Sequence, residues 1–357
     1  MQQSKIAVRL RARFETIVRA LRSVGHTLRA QRLAGALRAA LAKVGVASRK
    51  DVPPSAAAVA TGPARLLDGS FTNAAGTRAF RVYVPANARA TPMPLLMMLH
   101  GCKQNPDDFA AGTRMNALAE AHRFVVAYPA QSVQANGANC WNWFRASDQV
   151  RDSGEPSILA GIVAAIAADH AVDRRRVFVA GLSAGAAMAV ILGRTYPEIF
   201  AGVGAHSGLA HGAAHGAASA FAAMHGGAAQ ALAGWSPLGA AGAAGPAASM
   251  PAVPIIVFHG DQDPTVAASN GDAIVAQALA ASRASGLLET RHVEPASAAS
   301  RGYTKTTYAT PQGRTLVEQW TLHGALHAWS GGSAEGSYTD AQGPDASAEM
   351  VRFFLSQ

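Results

Sequence analysis

Two rhythms of apolar and polar positions alternate along the chain. Phe80-Arg81-Val82-Tyr83-Val84 alternates as a half-buried strand does, and Pro85 stops it. Pro94 to His100 is a continuous apolar run, the pattern of a parallel strand covered on both faces. Phe124 to Tyr128, ended by Pro129, is a second such run, and Val177-Phe178-Val179-Ala180 begins a third. Phe200 to His206, Val253 to His259 and Leu316 to Leu322 predict further strands. Between them, Met115, Leu118 and Ala119 recur at helical spacing within Phe109 to His122. Helices are also predicted over Ile158 to His170, after Ser183, and from about Asp345 to Leu355. Strand and helix alternating in this way predict an α/β fold: a doubly wound, mostly parallel sheet with helices on both faces.

The folded domain is expected over residues 65–357. Residues 208–252 break its rhythm with Ala and Gly and read as a lid-like insertion. The insertion holds His211, His215 and His225, but they lack acidic neighbours and no metal site is expected. No apolar run approaches the roughly 18 residues of a membrane span.

Charge divides the chain. The net +9 comes from residues 1–50, with 12 Lys/Arg against Glu15 alone, while the remainder holds 19 basic and 21 acidic residues. Leu10, Phe14, Ile17, Leu21, Val24 and Leu28 lie on one helical face of this segment, and arginines fill most of the others. A basic amphipathic helix of this kind suits an anionic membrane or granule surface. Specific nucleic-acid binding is not expected. Arginines throughout leave no apolar central region, so the segment does not read as a secretory signal peptide. Residues 51–64 read as a linker, too poor in large apolar groups to pack.

Gly181-Leu182-Ser183-Ala184-Gly185 lies between a buried strand and a helix, the context that makes G-x-S-x-G a nucleophile elbow. A serine hydroxyl needs a histidine to take its proton and a carboxylate to orient that histidine. Both follow in hydrolase order, beyond the ends of two later strands. His259-Gly260-Asp261-Gln262-Asp263 offers two acids, and His323-Gly324-Ala325-Leu326-His327 offers two bases. Spacing favours Asp263 and His327, the members further into each loop, with Asp261 and His323 as competitors. Backbone donors for an oxyanion are expected from Ala184, after the serine, and from Cys102 in His100-Gly101-Cys102-Lys103-Gln104. Trp141 and Trp329 are candidates for contact with substrate, whereas Trp143 reads at least as well as core.

Several motifs together resemble one family. Leu99 to Gln104, Ala127-Tyr128-Pro129-Ala130-Gln131, Cys140-Trp141-Asn142-Trp143-Phe144, the elbow, His259 to Val266 and His327-Ala328-Trp329-Ser330-Gly331-Gly332 occur in the order found in poly-3-hydroxybutyrate (PHB) depolymerases. Feruloyl and acetylxylan esterases are close relatives of that family. The resemblance covers roughly residues 66–355. It implies an α/β-hydrolase fold and cofactor-free cleavage of polyester or small ester bonds through an acyl-enzyme. Its implied roles are Ser183 as nucleophile, Asp263 as acid, His327 as base and the Cys102 amide in the oxyanion hole. It also implies that Cys102 pairs with Cys140.

Secreted family members begin with a signal peptide, and several carry a polymer-binding domain. The basic segment found here instead resembles the intracellular, granule-acting subgroup and implies a cytoplasmic, granule-associated protein. The implied disulfide favours the alternative, an extracellular location. A feruloyl- or acetylxylan-type esterase is the nearer functional alternative. The distant one is a non-catalytic granule- or membrane-surface protein, which has no need of an ordered triad.

Overall fold

A computed structural model of the chain describes residues 63–86, 88, 91–227, 253–282, 286–298 and 300–357. The basic segment 1–50, the linker up to residue 62 and residues 228–252 of the insertion lie outside the described residues.

Ten strands form one sheet: β1 (Arg65–Asn73), β2 (Gly76–Val84), β3 (Met93–Leu99), β4 (Val125–Pro129), β5 (Val172–Leu182), β6 (Gly202–His206), β7 (Ile255–Gly260), β8 (Leu288–Glu294), β9 (Tyr303–Ala309) and β10 (Thr315–Leu322). Their order is β1-β2-β4-β3-β5-β6-β7-β10-β9-β8. The six strands from β4 to β10 run parallel, and antiparallel pairs close both edges. The helices are α1 (Pro106–Thr113), α2 (Met115–His122), α3 (Gly154–Asp169), α4 (Ala184–Thr195), α5 (Ala217–Ala222), α6 (Ser269–Ala281) and α7 (Ala346–Leu355).

The sheet has a core on each face because successive strand residues point to opposite sides. Leu95, Met97 and Leu99 of β3 pack with Ile158 and Ile162 of α3, Met188 and Ile191 of α4, and Ile274 of α6. Leu96 and Met98 face the other way, against Phe109 of α1, Met115 of α2 and Met350 and Phe353 of α7. Helices on both faces explain why the central strands are unbroken apolar runs rather than alternating ones.

The structure departs from the sequence reading in several elements. The helix expected over Phe109 to His122 is two, broken at Arg114, whose φ of 53° is left-handed. Arg114 sends its guanidinium to the Gly331 carbonyl at 2.7 Å and to Asp345 at 3.2 Å. Strands β1, β8 and β9 and helix α6 were not foreseen. β1 and β8 are edge strands, β1 with one face only half-buried through Leu67 and Phe71 and β8 exposed throughout, and β9 is rich in Thr. In α6 small residues dominate, so its apolar stripe has little contrast. Among the described residues no helix is long and apolar enough to cross a membrane.

Candidate active site

β5 delivers Ser183 onto a turn that ordinary residues avoid, with φ 57° and ψ −118°. Holding a non-glycine residue there costs about 1–3 kcal/mol, so the surroundings must enforce it. They do so from both sides. The Ser183 N–H donates to the His206 carbonyl at 2.9 Å, extending the β5–β6 ladder, and its carbonyl accepts the Ala187 N–H at 3.0 Å, beginning α4. The turn also needs bare backbone, since a Cβ on Gly185 would lie 2.1 Å from the Leu99 carbonyl oxygen. Ser183 is half-buried and caps no helix amide.

The two loops expected to carry the acid and the base are laced together. Asp261 N–H donates to the Leu322 carbonyl at 3.0 Å, Gln262 N–H to Ala325 at 3.2 Å, and Gly324 N–H to Asp261 Oδ1 at 2.7 Å. Within this frame His327 Nδ1 donates to Asp263 Oδ2 at 2.7 Å. Asp263 Oδ1 accepts the amides of Thr265 and Val266, both at 2.9 Å. Burial opposes the charge on Asp263, but the His327 hydrogen bond and its field, with the two amides, hold the carboxyl below its usual range. The competing residues are occupied elsewhere: Asp261 by Gly324, and His323 by the Thr304 hydroxyl at 3.0 Å. Among the described residues, Ser183 Oγ and His327 share no hydrogen bond in this arrangement.

The loop after β3 is set by buried polar groups. His100 Nε2 accepts the Gln131 N–H at 3.1 Å, so the proton resides on Nδ1, which donates to the Gly101 carbonyl at 2.8 Å. Burial pushes the His100 pKa down, which keeps that neutral form. The Gly101 carbonyl also accepts the Gln104 N–H at 3.3 Å. In a trans peptide C=O and N–H point in opposite directions, so the Cys102 N–H is turned away from these donors. Neither it nor the Ala184 N–H donates to another group among the described residues. Gln104 steadies the loop from below, accepting the Gly101 N–H at 2.9 Å and donating to Asp108 at 2.9 Å and the Ser337 carbonyl at 3.0 Å. Cys102 and Cys140 form a disulfide.

Both tryptophans read as substrate contacts are corrected by the structure. Trp141 is 0% exposed and donates its Nε1–H to the His100 carbonyl at 3.1 Å. Trp329 is 1% exposed, meets Phe109 edge-on at 5.4 Å and donates to Ser347 at 3.0 Å. Their rings fill the core behind the loops and reach no surface. Trp143 is also buried. Three supporting residues escaped the sequence reading: Gln104, Glu155 and His206. Buried Glu155 pairs with Arg78 at 3.0 Å and accepts both the backbone and side-chain N–H of Asn142 at 2.7 Å. The available signal was a polar residue placed inside an otherwise apolar stretch, as at His206. Among the described residues no group of three or more His, Cys, Asp or Glu is placed to hold a metal ion.

A mostly parallel sheet between helix layers, with an elbow serine and a bonded Asp–His pair beyond the carboxyl ends of its strands, defines an α/β-hydrolase. The solved acetyl xylan esterase from Aspergillus awamori has this fold. It covers 82% of this chain and 100% of its own with a TM-score of 0.59 at 18% identity. Residues 78–299 match the family described as esterase PHB depolymerase, and the chain belongs to that family. Poly(3-hydroxyalkanoate) depolymerase C of Paucimonas lemoignei is 34% identical over 244 residues, 68% of this chain and 56% of that protein. Feruloyl esterase B of Neurospora crassa is 36% identical over 132 residues, 36% of this chain and 43% of that one. The chain thus spans about half the length of these curated relatives. The family match takes in Cys102, Ser183 and Asp263 and ends before His327.

Proposed function

We propose that the chain is a serine esterase that hydrolyses poly(3-hydroxybutyrate) or its oligomers through an acyl-enzyme. The observation that carries the mechanism is the 2.7 Å bond from His327 Nδ1 to buried Asp263, which leaves Nε2 as the basic nitrogen. His327 Nε2 takes the Ser183 proton as Oγ attacks the ester carbonyl carbon. The serine–imidazole hydrogen bond, not made in this arrangement, forms when substrate is bound, as catalytic hydrogen bonds commonly do. The tetrahedral oxyanion is received by the free amides of Cys102 and Ala184. The carbon–oxygen bond to the alcohol then breaks, and His327 returns the proton to the departing oxygen. Water repeats the sequence on the acyl-enzyme and releases the acid.

The polyester assignment is supported by the likeness to a polyhydroxyalkanoate depolymerase over 68% of the chain. A feruloyl- or acetylxylan-type substrate is the second reading, favoured by the shorter feruloyl esterase match. Residues 1–50 are proposed as the attachment to a polyhydroxyalkanoate granule or an anionic membrane, on their charge and apolar stripe.

Ser183→Ala is expected to lower turnover of p-nitrophenyl butyrate by roughly four to six orders of magnitude while circular dichroism stays unchanged. Wild-type turnover in that variant would remove the serine mechanism. Parallel assays on amorphous 3-hydroxybutyrate polymer, its short oligomers and methyl ferulate distinguish the substrates, with the first two expected to be cleaved faster.

A further inference from the structure

His206, which the mechanism above does not use, is fully buried at the carboxyl end of β6, beside the elbow. Its backbone carbonyl accepts the Ser183 N–H at 2.9 Å. Its ring nitrogen Nε2 accepts the Ser330 N–H at 3.0 Å, three residues beyond His327. The ring is stacked between Phe258, at 5.7 Å and 11°, and Trp329, at 5.2 Å and 27°. Among the described residues it is hydrogen-bonded both to the nucleophile's backbone and to the loop carrying the base. The acid and base loops are laced by three bonds of their own, so locating one of them locates the pair.

We infer that His206 is a positioning residue, whose neutral ring fixes the base loop relative to the elbow so that His327 reaches the Ser183 hydroxyl when substrate is bound. The inference rests on the serine-esterase reading. Tautomer chemistry makes the contact specific. Nε2 accepts an amide proton, so Nδ1 carries the ring proton and donates to Ser207 Oγ at 3.2 Å. An imidazolium would set an N–H against the Ser330 N–H and break the link. Burial, then the neighbouring His259 and His327, push the His206 pKa down to about 3, with Asp263 pulling the other way. The ring therefore stays an acceptor wherever the base is active. This also accounts for the burial of Trp329: it is one side of the slot that keeps the His206 ring flat against its partner.

The test uses the full-length protein, p-nitrophenyl butyrate, and active-site titration with a fluorophosphonate. His206→Phe keeps an aromatic ring but places a C–H against the Ser330 amide. Its kcat per titrated site is expected to fall about 10- to 100-fold, with KM within about threefold and a shifted acidic limb of the kcat/KM pH profile, where His327 loses its proton. His206→Gln puts an amide oxygen where Nε2 was and is expected to recover most of the lost rate, whereas the shorter His206→Asn stays low. A role in packing alone would lower the titratable fraction and leave rate per site and pH profile at wild-type values; that result overturns the inference. Should His206→Phe fail to fold, equal rates in the Gln and Asn variants overturn it, and recovery by Gln alone supports it. Failure of all three to fold assigns His206 to the core and overturns it too. Ser183→Ala is run alongside: if that variant stays active, the serine reading itself fails, whereas an inactive Ser183→Ala beside a fully active His206→Phe removes only this inference.

Discussion

Asp263 lies between two imidazoles, with His327 Nδ1 at 2.7 Å and His259 Nε2 at 3.6 Å from the same carboxylate oxygen. Asp263→Asn keeps the shape but favours the wrong His327 tautomer, so kcat is expected to fall by about four orders of magnitude in steady-state assays. Because the folded-state pKa of Asp263 is depressed, its ionisation stabilises the fold above the unfolded value of about 3.9, and that contribution is lost as pH falls through the lower folded value. Urea midpoints measured against pH are expected to drop less steeply below about pH 4 in Asp263→Asn than in the parent. Glu155 behaves oppositely, since burial raises its pKa in spite of its donors. Its ionised form is nevertheless what Arg78 needs, and Glu155→Leu strands a buried guanidinium at an expected cost of about 3–5 kcal/mol in urea unfolding. Counting residues beyond the strand ends pointed to Asp263 and His327, and these two share the hydrogen bond. The tryptophans were misread because adjacency along a loop does not say which way a ring turns: His327 faces Asp263, while Trp329 two residues on is packed against Phe109.

The elbow is a contact between elements as much as a residue. α4 begins so close to the end of β3 that Gly185→Ala would bring a Cβ against the Leu99 and His100 carbonyls. Both are backbone, so nothing flexible can give way, and the substitution is expected to destabilise by about 1–3 kcal/mol or more in urea unfolding. That crossing was legible in the sequence because Gly, Ser and Gly at fixed spacing between strand and helix have few other uses. The central strands were legible for a related reason: burial on both faces forces continuous apolar runs. The elements that escaped notice lack that pressure. β1 only half-buries one face and β8 buries none, and the Arg114 break is decided by distant partners, Gly331 and Asp345, that local pattern cannot name.

Across the whole molecule, the loops that carry the proposed chemistry come from four strands and are fastened by different means. The Cys102–Cys140 bridge closes 38 residues, for which chain entropy alone gives about 4 kcal/mol. Cys140→Ala is expected to lose about 2–4 kcal/mol of stability and to lower kcat more than it raises KM, since the Cys102 amide sits on the loosened loop. Chemical denaturation and steady-state kinetics with and without reductant check both. Strand β8 carries a consequence of another kind. Every residue from Leu288 to Glu294 is exposed, yet Glu289, Arg291, His292 and Glu294 crowd that outermost ribbon with charge and polarity. Such residues discourage a neighbouring molecule from zipping its own margin onto the open row of amides. Replacing them with Thr and Val should therefore leave the ester chemistry alone and turn a well-behaved solution into one that gels or forms fibres on concentration.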